Sequence, residues 1–427
     1  MKRKQFWLVC FCLGLLGSLA FVLLIAVPVA MMEYRKRGPY PTVLLLNLDT
    51  IAAAQRWIVT ICGYCWVFIV GGSFASFLNV VAWRLPQGRS VNGSSHCPTC
   101  NTKLSFWDNL PILGWLKVEG KCTHCRNAVS IRYFLAECLL GLVFAISFAQ
   151  VLLSGGIHLP HRPATYVQGV AYLIQYPIWD LIQIWIYLLV LIGFLFTFTL
   201  IRVDRFSIPR KIFWTGLAIG CILPMIWPAI RLVPWKLENL TYRVTSTAEL
   251  DFWITTILGT VVGGLTGLWV SICYSRINPA IPKSDLNPPF KSVDESVACW
   301  TLVGTFLGWQ ASIAIGMATI LIVSLIRLAG CFVRTRLPTD QEMHMAHFFN
   351  NRIERTTENL SSYCFLATLF LLLVWNSWTF VPFWPDNWLP FVEFLVAITI
   401  LVSVGLGQKK ILQKLGAFEN TTTDSES

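Results

Sequence analysis

The chain has 427 residues, of which 55% are hydrophobic and 13% are charged, and its mean hydropathy is +0.62. Soluble domains carry about 25% charged residues, so this composition excludes a soluble globular protein. The net charge of +11 is attributed to membrane topology, and no nucleic-acid partner is predicted from it.

Apolar runs long enough to cross about 30 Å of hydrocarbon recur along the whole chain. They predict nine or ten transmembrane helices, near 6–32, 57–83, 134–155, 178–201, 211–231, 252–273, 297–327, 362–384 and 388–408. The run 297–327 can also form two shorter helices broken at Gly308. The first run follows Met-Lys-Arg-Lys like a signal peptide, but no small-residue cleavage site closes it, which favours an uncleaved helix. The predicted fold is an all-α polytopic membrane protein.

Lys and Arg concentrate in three of the loops between these runs, at 84–132, 202–211 and 328–361. Because positive loops stay in the cytoplasm, all three are predicted to be cytoplasmic. The first of them carries Arg84, Arg89, Lys103, Lys117, Lys121, Arg126 and Arg132. Segment 33–56 is predicted outside and fits this rule less well, because it carries three basic residues in a row.

Four of the fourteen cysteines form two Cys-x-x-Cys pairs in the first basic loop. Cys97 and Cys100 are followed, after twenty-one intervening residues, by Cys122 and Cys125. Two such pairs across a short polar stretch match a tetrahedral structural zinc site, and a reducing cytoplasm keeps the thiols free for metal. The alternative is two disulfides or four free thiols. The sequence therefore predicts a small cytoplasmic zinc module.

Two stretches around this module resemble the bacterial type IV prepilin peptidases (prepilin leader peptidase/N-methyltransferases). The first is Ala75-Ser-Phe-Leu-Asn-Val-Val-Ala-Trp-Arg-Leu-Pro86, and the second is CPTCNTKLSFWDNLPILGWLKVEGKCTHCRNAVSIRYFLAECLLG from Cys97 to Gly141. The resemblance covers about 63–325, and the first helix and the last hundred residues lie outside it. It assigns a partner-binding or methyltransferase region to Asn79, Arg84, Asn109, Arg132 and Glu137.

The resemblance implies an aspartic endopeptidase that removes a leader after Gly from prepilins or pseudopilins at the inner membrane of a bacterium. It also implies N-methylation of the new terminus with S-adenosylmethionine as a cofactor beside the structural zinc. The cleavage needs two carboxyl groups near one water, one ionised as base and one protonated as acid.

Both aspartate positions that the resemblance implies hold other residues here. Alignment on Pro209 puts Arg202 at the first position, and alignment on Gly304 puts Ser296 at the second. Asp204 and Asp294 lie two residues away from them, and on a helix such a shift turns a side chain by about 200°. Glu295 and Asp294 are also well placed to cap a helix start.

Three hypotheses follow from this pattern. In the first, Asp204 with Asp294 or Glu295 acts as a displaced catalytic pair in an active peptidase. In the second, proteolysis is lost while methylation or pilin binding is retained. In the third, the protein is a membrane scaffold in a pilus or secretion assembly. A transporter is a competing class, but it leaves the four cysteines unexplained, and no inverted repeat is evident in the sequence.

The predicted organisation has four parts. An extra helix and outer loop (1–56) precede the prepilin-peptidase-like N-terminal region (57–141) that contains the zinc module. A peptidase-like membrane core (142–330) follows. A loop, two extra helices and a polar tail that is predicted to be disordered complete the chain (331–427).

Overall fold

The protein is described by a computed structural model that covers 42–97, 99–159, 164–167, 169–230, 248–277, 292–336 and 359–378. It divides into two compact units, Met1–Leu189 and Val190–Ser427. The boundary between the units falls inside a helix at a point the sequence did not indicate, and the four-part organisation stays a prediction. The polar tail lies outside the described residues.

The first unit is built on a pair of long helices that flank the cysteine-rich loop. Its helices are α1 (Thr42–Arg84), the short α2 (Leu113–Lys117), α3 (Ile131–Phe148), α4 (Val170–Gln175) and the first part of α5 (Trp179–Val203). A 3-10 turn at Trp107–Asn109 precedes α2, and a π-helical turn at Ala149–Leu153 extends α3. Helices α1 and α3 approach closely because each presents a glycine to the other, Gly71 to Phe144 and Gly141 to Phe68.

The second unit surrounds one central helix. It contains the rest of α5, β1 (Ile208–Pro209), α6 (Arg210–Ile226), α7 (Ala248–Ile277), β2 (Ser292–Val293), α8 (Glu295–Leu307), α9 (Trp309–Arg336) and α10 (Leu360–Trp378), with a 3-10 turn at Pro228–Ile230. Helix α8 is buried on all sides from Ala298 to Leu307 and contacts α6, α7, α9 and α10. Strands β1 and β2 pair antiparallel, which brings the end of α5 beside the start of α8.

The structure confirms the all-α membrane fold that the sequence predicts. Among the described residues, four helices are long and apolar enough to cross a membrane: Gln55–Arg84, Ile131–Leu153, Trp179–Val203 and Trp253–Cys273. Helix α6 lies in the predicted span 211–231 but is only seventeen residues long, with Pro224 inside it, and is not one of these four helices. The predicted spans 6–32 and 388–408 lie outside the described residues, so the count of nine or ten stays a prediction.

The break at Gly308 is confirmed. Helix α8 ends at Leu307 and α9 begins at Trp309, with Gly308 at a φ of 94° between them. A side chain is strongly disfavoured in this conformation, so glycine ends the first helix and turns the chain into the second. The long apolar run is therefore two shorter helices.

Helices α7 and α8 pack backbone to backbone along a series of glycines. Gly259, Gly263 and Gly267 repeat every four residues on one face of α7, opposite Gly304 and the backbone carbonyls of Trp300 and Ser296. A Cβ built on Gly267 would lie 2.6 Å from the Ser296 carbonyl oxygen, which no real Cβ tolerates. Such small-residue faces let membrane helices associate by close van der Waals packing.

We expect Gly263→Ala to destabilise the second unit and Gly264→Ala to leave it unchanged or slightly more stable. A Cβ on Gly263 would collide with the Trp300 carbonyl, whereas one on Gly264 meets only the Thr301 hydroxyl at 3.4 Å. Overpacking costs about 1–3 kcal/mol, and removing a helical glycine gains roughly 0.5–1 kcal/mol. Thermal unfolding of the two variants in detergent measures the difference, and equal melting temperatures would contradict the packing.

Candidate functional site

The two Cys-x-x-Cys turns have the same backbone geometry. In the first, the N–H of Asn101 donates to the Cys97 carbonyl at 3.0 Å, and in the second the N–H of Arg126 donates to the Cys122 carbonyl at 3.0 Å. The residue after each pair lies in the left-handed region, Asn101 at a φ of 55° and Arg126 at 60°. The repeated turn directs both thiols of each pair towards the same point.

The four thiols converge on one centre. All four sulfur atoms lie within 4.8 Å of one another, with Cys97 3.8 Å from Cys125 and Cys100 3.9 Å from Cys122. A tetrahedron with Zn–S bonds of about 2.3 Å has edges of about 3.8 Å. The donor set and its spacing therefore fit a four-coordinate zinc ion with no open position, which is the arrangement of a structural site.

Hydrogen bonds within the turns favour thiolates. The backbone N–H groups of Cys100 and Thr99 lower the pKa of the Cys97 thiol to about 6, and Thr102 lowers that of Cys100. The N–H of Asn127 also lowers the pKa of Cys125, but burial and the neighbouring thiols outweigh it and raise the pKa to about 11. A bound divalent cation favours the ionised form of every ligand, since the thiolate is the species that binds metal.

Arg84 connects the end of α1 to the module. Its guanidinium donates to the carbonyls of Val91 (3.4 Å) and Ser94 (3.0 Å), just before the first cysteine. At the other end, the hydroxyl of Ser130 accepts the N–H of Arg132 and caps α3. The Arg132 guanidinium lies 5.6 Å from the ring of Tyr133. The module is thus fixed at both ends to the helices it joins.

Glu137 anchors the middle of the module from within α3. Its Oε2 accepts the N–H of Ile112 at 2.7 Å, and Ser76 on α1 lies near the same carboxylate. Ile112 has a φ of 63°, which is strained for a β-branched residue. The hydrogen bond to a buried carboxylate therefore holds a loop in a conformation it would otherwise leave.

Asn79 is a buried polar side chain in the same helix pair. It is 6% exposed, and neither its Nδ2 nor its Oδ1 has a hydrogen-bond partner among the described residues. It lies three residues from Ser76, on the same face of α1. An unsatisfied buried amide costs free energy, so this position is a candidate for contact with a ligand.

The second unit holds an ion pair between the ends of α5 and α8. The Nε of Arg202 donates to Oε2 of Glu295 at 2.7 Å, with side-chain exposures of 30% and 12%. The other carboxylate oxygen, Oε1, accepts the N–H of Ser361 at the start of α10 at 2.6 Å. Arg202 also donates through Nη1 to the Phe206 carbonyl. Glu295 therefore joins three helices.

The comparisons with known proteins concern the first unit. The sequence profile of the bacterial peptidase A24 N-terminal domain matches residues 69–151. Residues 69–151 are therefore similar to this domain. The resemblance to prepilin peptidases that the sequence shows is confirmed for this part of the chain.

Similar curated proteins carry prepilin-processing names. The prepilin leader peptidase/N-methyltransferase of Myxococcus xanthus is 42% identical over 79 residues, 18% of this chain and 24% of that protein. Its namesake in Vibrio cholerae is 38% identical over 78 residues, 16% and 31% of the two chains. The type 4 prepilin-like proteins leader peptide-processing enzyme of Escherichia coli is 37% identical over 98 residues, 18% and 36%.

The chain spans between 24% and 36% of the length of these three relatives. No solved structure matches the chain. These partial matches therefore do not assign the activities of the whole relatives to this chain.

Within the matched residues 69–151, the structure brings the four predicted zinc ligands together and buries Asn79 in α1 and Glu137 in α3. Arg84 and Arg132 lie instead at the two ends of the module, where Arg84 makes structural hydrogen bonds, and Asn109 ends the 3-10 turn in its middle. Their functional roles stay predictions. Neither Ser76 nor Ile112 stands out in the sequence, because their importance depends on contacts across the helix pair.

Outside the matched residues 69–151, Asp294 is the N-cap of α8. Its Oδ1 accepts the N–H groups of Ser296 and Val297 and the Ser296 hydroxyl. This supports the capping role foreseen for it, while the catalytic roles of Asp294 and Asp204 stay predictions. Ser296 itself is 1% exposed. Glu295, which the sequence named only as an alternative, makes the contact with Arg202.

Proposed function

We propose that this integral membrane protein binds prepilin-like substrates through a retained A24 N-terminal domain and does not cleave them. The observation that supports the loss of cleavage is the Arg202–Glu295 ion pair. It occupies the place where the resemblance puts the catalytic aspartates, one at position 202 and one at the residue after Glu295. We place the cysteine module on the cytoplasmic face of a bacterial inner membrane, as the positive loops predict.

The chemistry of the pair opposes aspartic proteolysis. An aspartic peptidase holds two carboxyl groups that share one proton, so that one acts as acid and the other as base. Here one carboxylate faces a guanidinium, which keeps its proton at any physiological pH and accepts none. The pair can orient neither a water nor a scissile carbonyl as a dyad does.

Helix α10 engages the same carboxylate and lies beyond the part of the chain that resembles the peptidases. The N–H of Ser361 accounts for the second oxygen of Glu295. Leu360, Ser361 and Cys364 at the start of this helix are almost completely buried. The carboxylate thus has both oxygens engaged by the protein's own groups, which favours a structural role for Glu295.

The alternative is an active peptidase with a displaced pair, Asp204 and Asp294. Three hydrogen-bond donors at the start of α8 converge on one oxygen of Asp294. This oxygen is engaged in capping the helix, so it is less available to orient a catalytic water. We therefore rank this alternative second.

Retention of methylation is supported by one observation in the first unit. The buried Asn79 amide, without a partner among the described residues, lies one helical turn from Ser76, which is near Glu137. These groups offer donors and acceptors of the kind that an S-adenosylmethionine amino-acid moiety would need. The side chains of Asn79 and Ser76 fit such a moiety, and S-adenosylmethionine would supply the methyl group that is transferred.

The test is incubation of the purified protein in detergent with a prepilin that carries Gly before and Phe after the cleavage site, plus S-adenosylmethionine. Mass spectrometry measures leader loss and methylation, and a known prepilin peptidase is run in parallel. We expect an intact leader and measurable binding of the prepilin, for example by pull-down with a tagged substrate. If the protein methylates a pre-cut pilin and the Asn79→Leu variant does not, the protein also retains methyltransferase activity.

Cleavage would overturn the proposal. Loss of that cleavage in Asp204→Asn and Asp294→Asn would then establish the displaced pair. Absence of both cleavage and prepilin binding, with the zinc module intact, would also overturn it and leave the scaffold hypothesis.

A further inference from the structure

The cysteine module contacts α1 at two different depths. At the helix end, the Arg84 guanidinium bonds the carbonyls of Val91 and Ser94. Much deeper, the side chain of Ile112 lies against Gly72, where an added Cβ would be 3.1 Å from its Cδ1. Twelve helical residues separate the two points, which corresponds to about 18 Å along the axis. The middle of the module therefore runs back along α1 towards the membrane.

The length of α3 fixes where this contact lies. The apolar span Ile131–Leu153 has 23 residues, about 35 Å of helix, whereas the hydrocarbon layer is about 30 Å thick. If the span crosses completely, at most about 5 Å of it can project on the module's side. Glu137, which accepts the Ile112 N–H, lies six residues or about 9 Å along this span and is therefore inside the hydrocarbon boundary.

Backbone N–H groups of this segment donate hydrogen bonds within the protein, as a loop at membrane depth requires. Asn109, Leu113 and Gly114 donate to Phe106, Pro111 and Leu110, and Leu116 and Val118 donate to Ile112 and Gly114. Ile112 donates to Glu137 instead. Unpaired N–H groups are costly in hydrocarbon, so non-helical backbone survives at this depth only when it is bonded within the protein. These bonds leave little of the segment's backbone dependent on water.

The same segment exposes large apolar side chains. Trp107, Leu113 and Leu116 are 62%, 63% and 50% exposed. Trp115 of the segment stacks on Phe134 at 5.2 Å, next to an exposed stripe on α3 formed by Ile131, Leu135, Leu139 and Leu142. Such a stripe on a membrane-spanning helix faces lipid. The segment continues that lipid-facing surface.

Charged residues frame the apolar face. The loop 84–132 carries seven Lys and Arg against two Asp and Glu, and Lys117 forms a pair with Asp108 at 3.2 Å. Tryptophan beside lysine is the composition of the headgroup region, where the ring is half immersed and the ammonium reaches outward.

We infer that residues 106–117 lie in the bilayer interface, with Trp107, Leu113 and Leu116 in contact with lipid acyl chains. The zinc cluster is then held against the membrane surface through an embedded loop. This inference is independent of whether the protein cleaves or methylates pilins.

The test uses the full chain in vesicles of phosphatidylethanolamine and phosphatidylglycerol. The photocrosslinking residue p-benzoylphenylalanine replaces Trp107 or Leu113, and lipid adducts are quantified by mass spectrometry after irradiation. Leu139, on the exposed stripe of α3, is the lipid-facing control, and the exposed Asn92 beside the helix end at Arg84 is the aqueous control. Zinc content of each variant verifies that the module is folded.

We expect positions 107 and 113 to give lipid adducts comparable to position 139 and severalfold more than position 92. Adduct yields at 107 and 113 as low as at 92, with normal labelling at 139, would overturn the inference. A crosslinked protein in place of lipid at these positions in cells would equally overturn it and identify the face as a protein-binding surface.

Discussion

Cys97→Ser is expected to remove zinc from the purified protein and to unfold the cysteine module. The four sulfurs match a tetrahedral thiolate site with no spare ligand, and a hydroxyl is a poor substitute for a thiolate. Structural zinc sites contribute about 10–16 kcal/mol of binding free energy in peptide models, so the loss of one ligand has a large effect. Elemental analysis should fall from about one zinc per chain to nearly none.

The matched control is Cys65→Ser, which changes a thiol on the exposed surface of α1 and should retain the metal. Hydrogen exchange then localises the damage. In Cys97→Ser, amide protection should be lost across both Cys-x-x-Cys turns and should persist in α7 and α8. A Cys97→Ser variant that still binds zinc with unchanged affinity would contradict the assignment of the four ligands.

Glu295→Ala is expected to be the most damaging single change in the second unit. It leaves the partly buried Arg202 guanidinium without its carboxylate and the Ser361 N–H without an acceptor. Breaking a buried pair costs about 3–5 kcal/mol, and because Arg202 is 30% exposed we expect roughly 2–3 kcal/mol here. Unfolding by temperature or by SDS titration in mixed micelles measures this loss of stability.

Glu295→Gln and Glu119→Gln form a matched pair, because each removes one negative charge with little change of shape and Glu119 is exposed. Only the first should destabilise the protein. A double-mutant cycle with Arg202→Met isolates the pair, and a coupling of about 1–3 kcal/mol is expected. Additive effects of the two changes would show that Glu295 stabilises the fold only through Ser361.

Some features followed from local chemistry and were predictable from the sequence. The Cys-x-x-Cys spacing predicts a shared metal site because each turn brings two thiols together by itself, and the structure brings the two turns into one cluster. Gly308 interrupts an apolar run, and a break there follows from the conformational freedom of glycine alone. Apolar runs likewise define the four long helices, since segment hydropathy sets which helices can cross a membrane.

The packing of α7 on α8 was not foreseen, although its signal is present in the sequence. The repeat of Gly259, Gly263 and Gly267 indicates a helix face that can approach another backbone. The sequence does not say which helix will occupy that face, because several helices in the chain are equally apolar. The choice of α8 depends on where its own Gly304 and backbone carbonyls lie.

By itself the sequence determined that this is a helical membrane protein with a four-cysteine module in a region that resembles the prepilin peptidases. These properties depend on composition and on residues close together in the chain. Only the tertiary structure decided that Arg202 meets Glu295 across ninety-three positions and that Glu137 holds Ile112 across twenty-five. Such contacts arise from strand pairing and helix packing between distant segments, where a shift of one residue turns a side chain to another face.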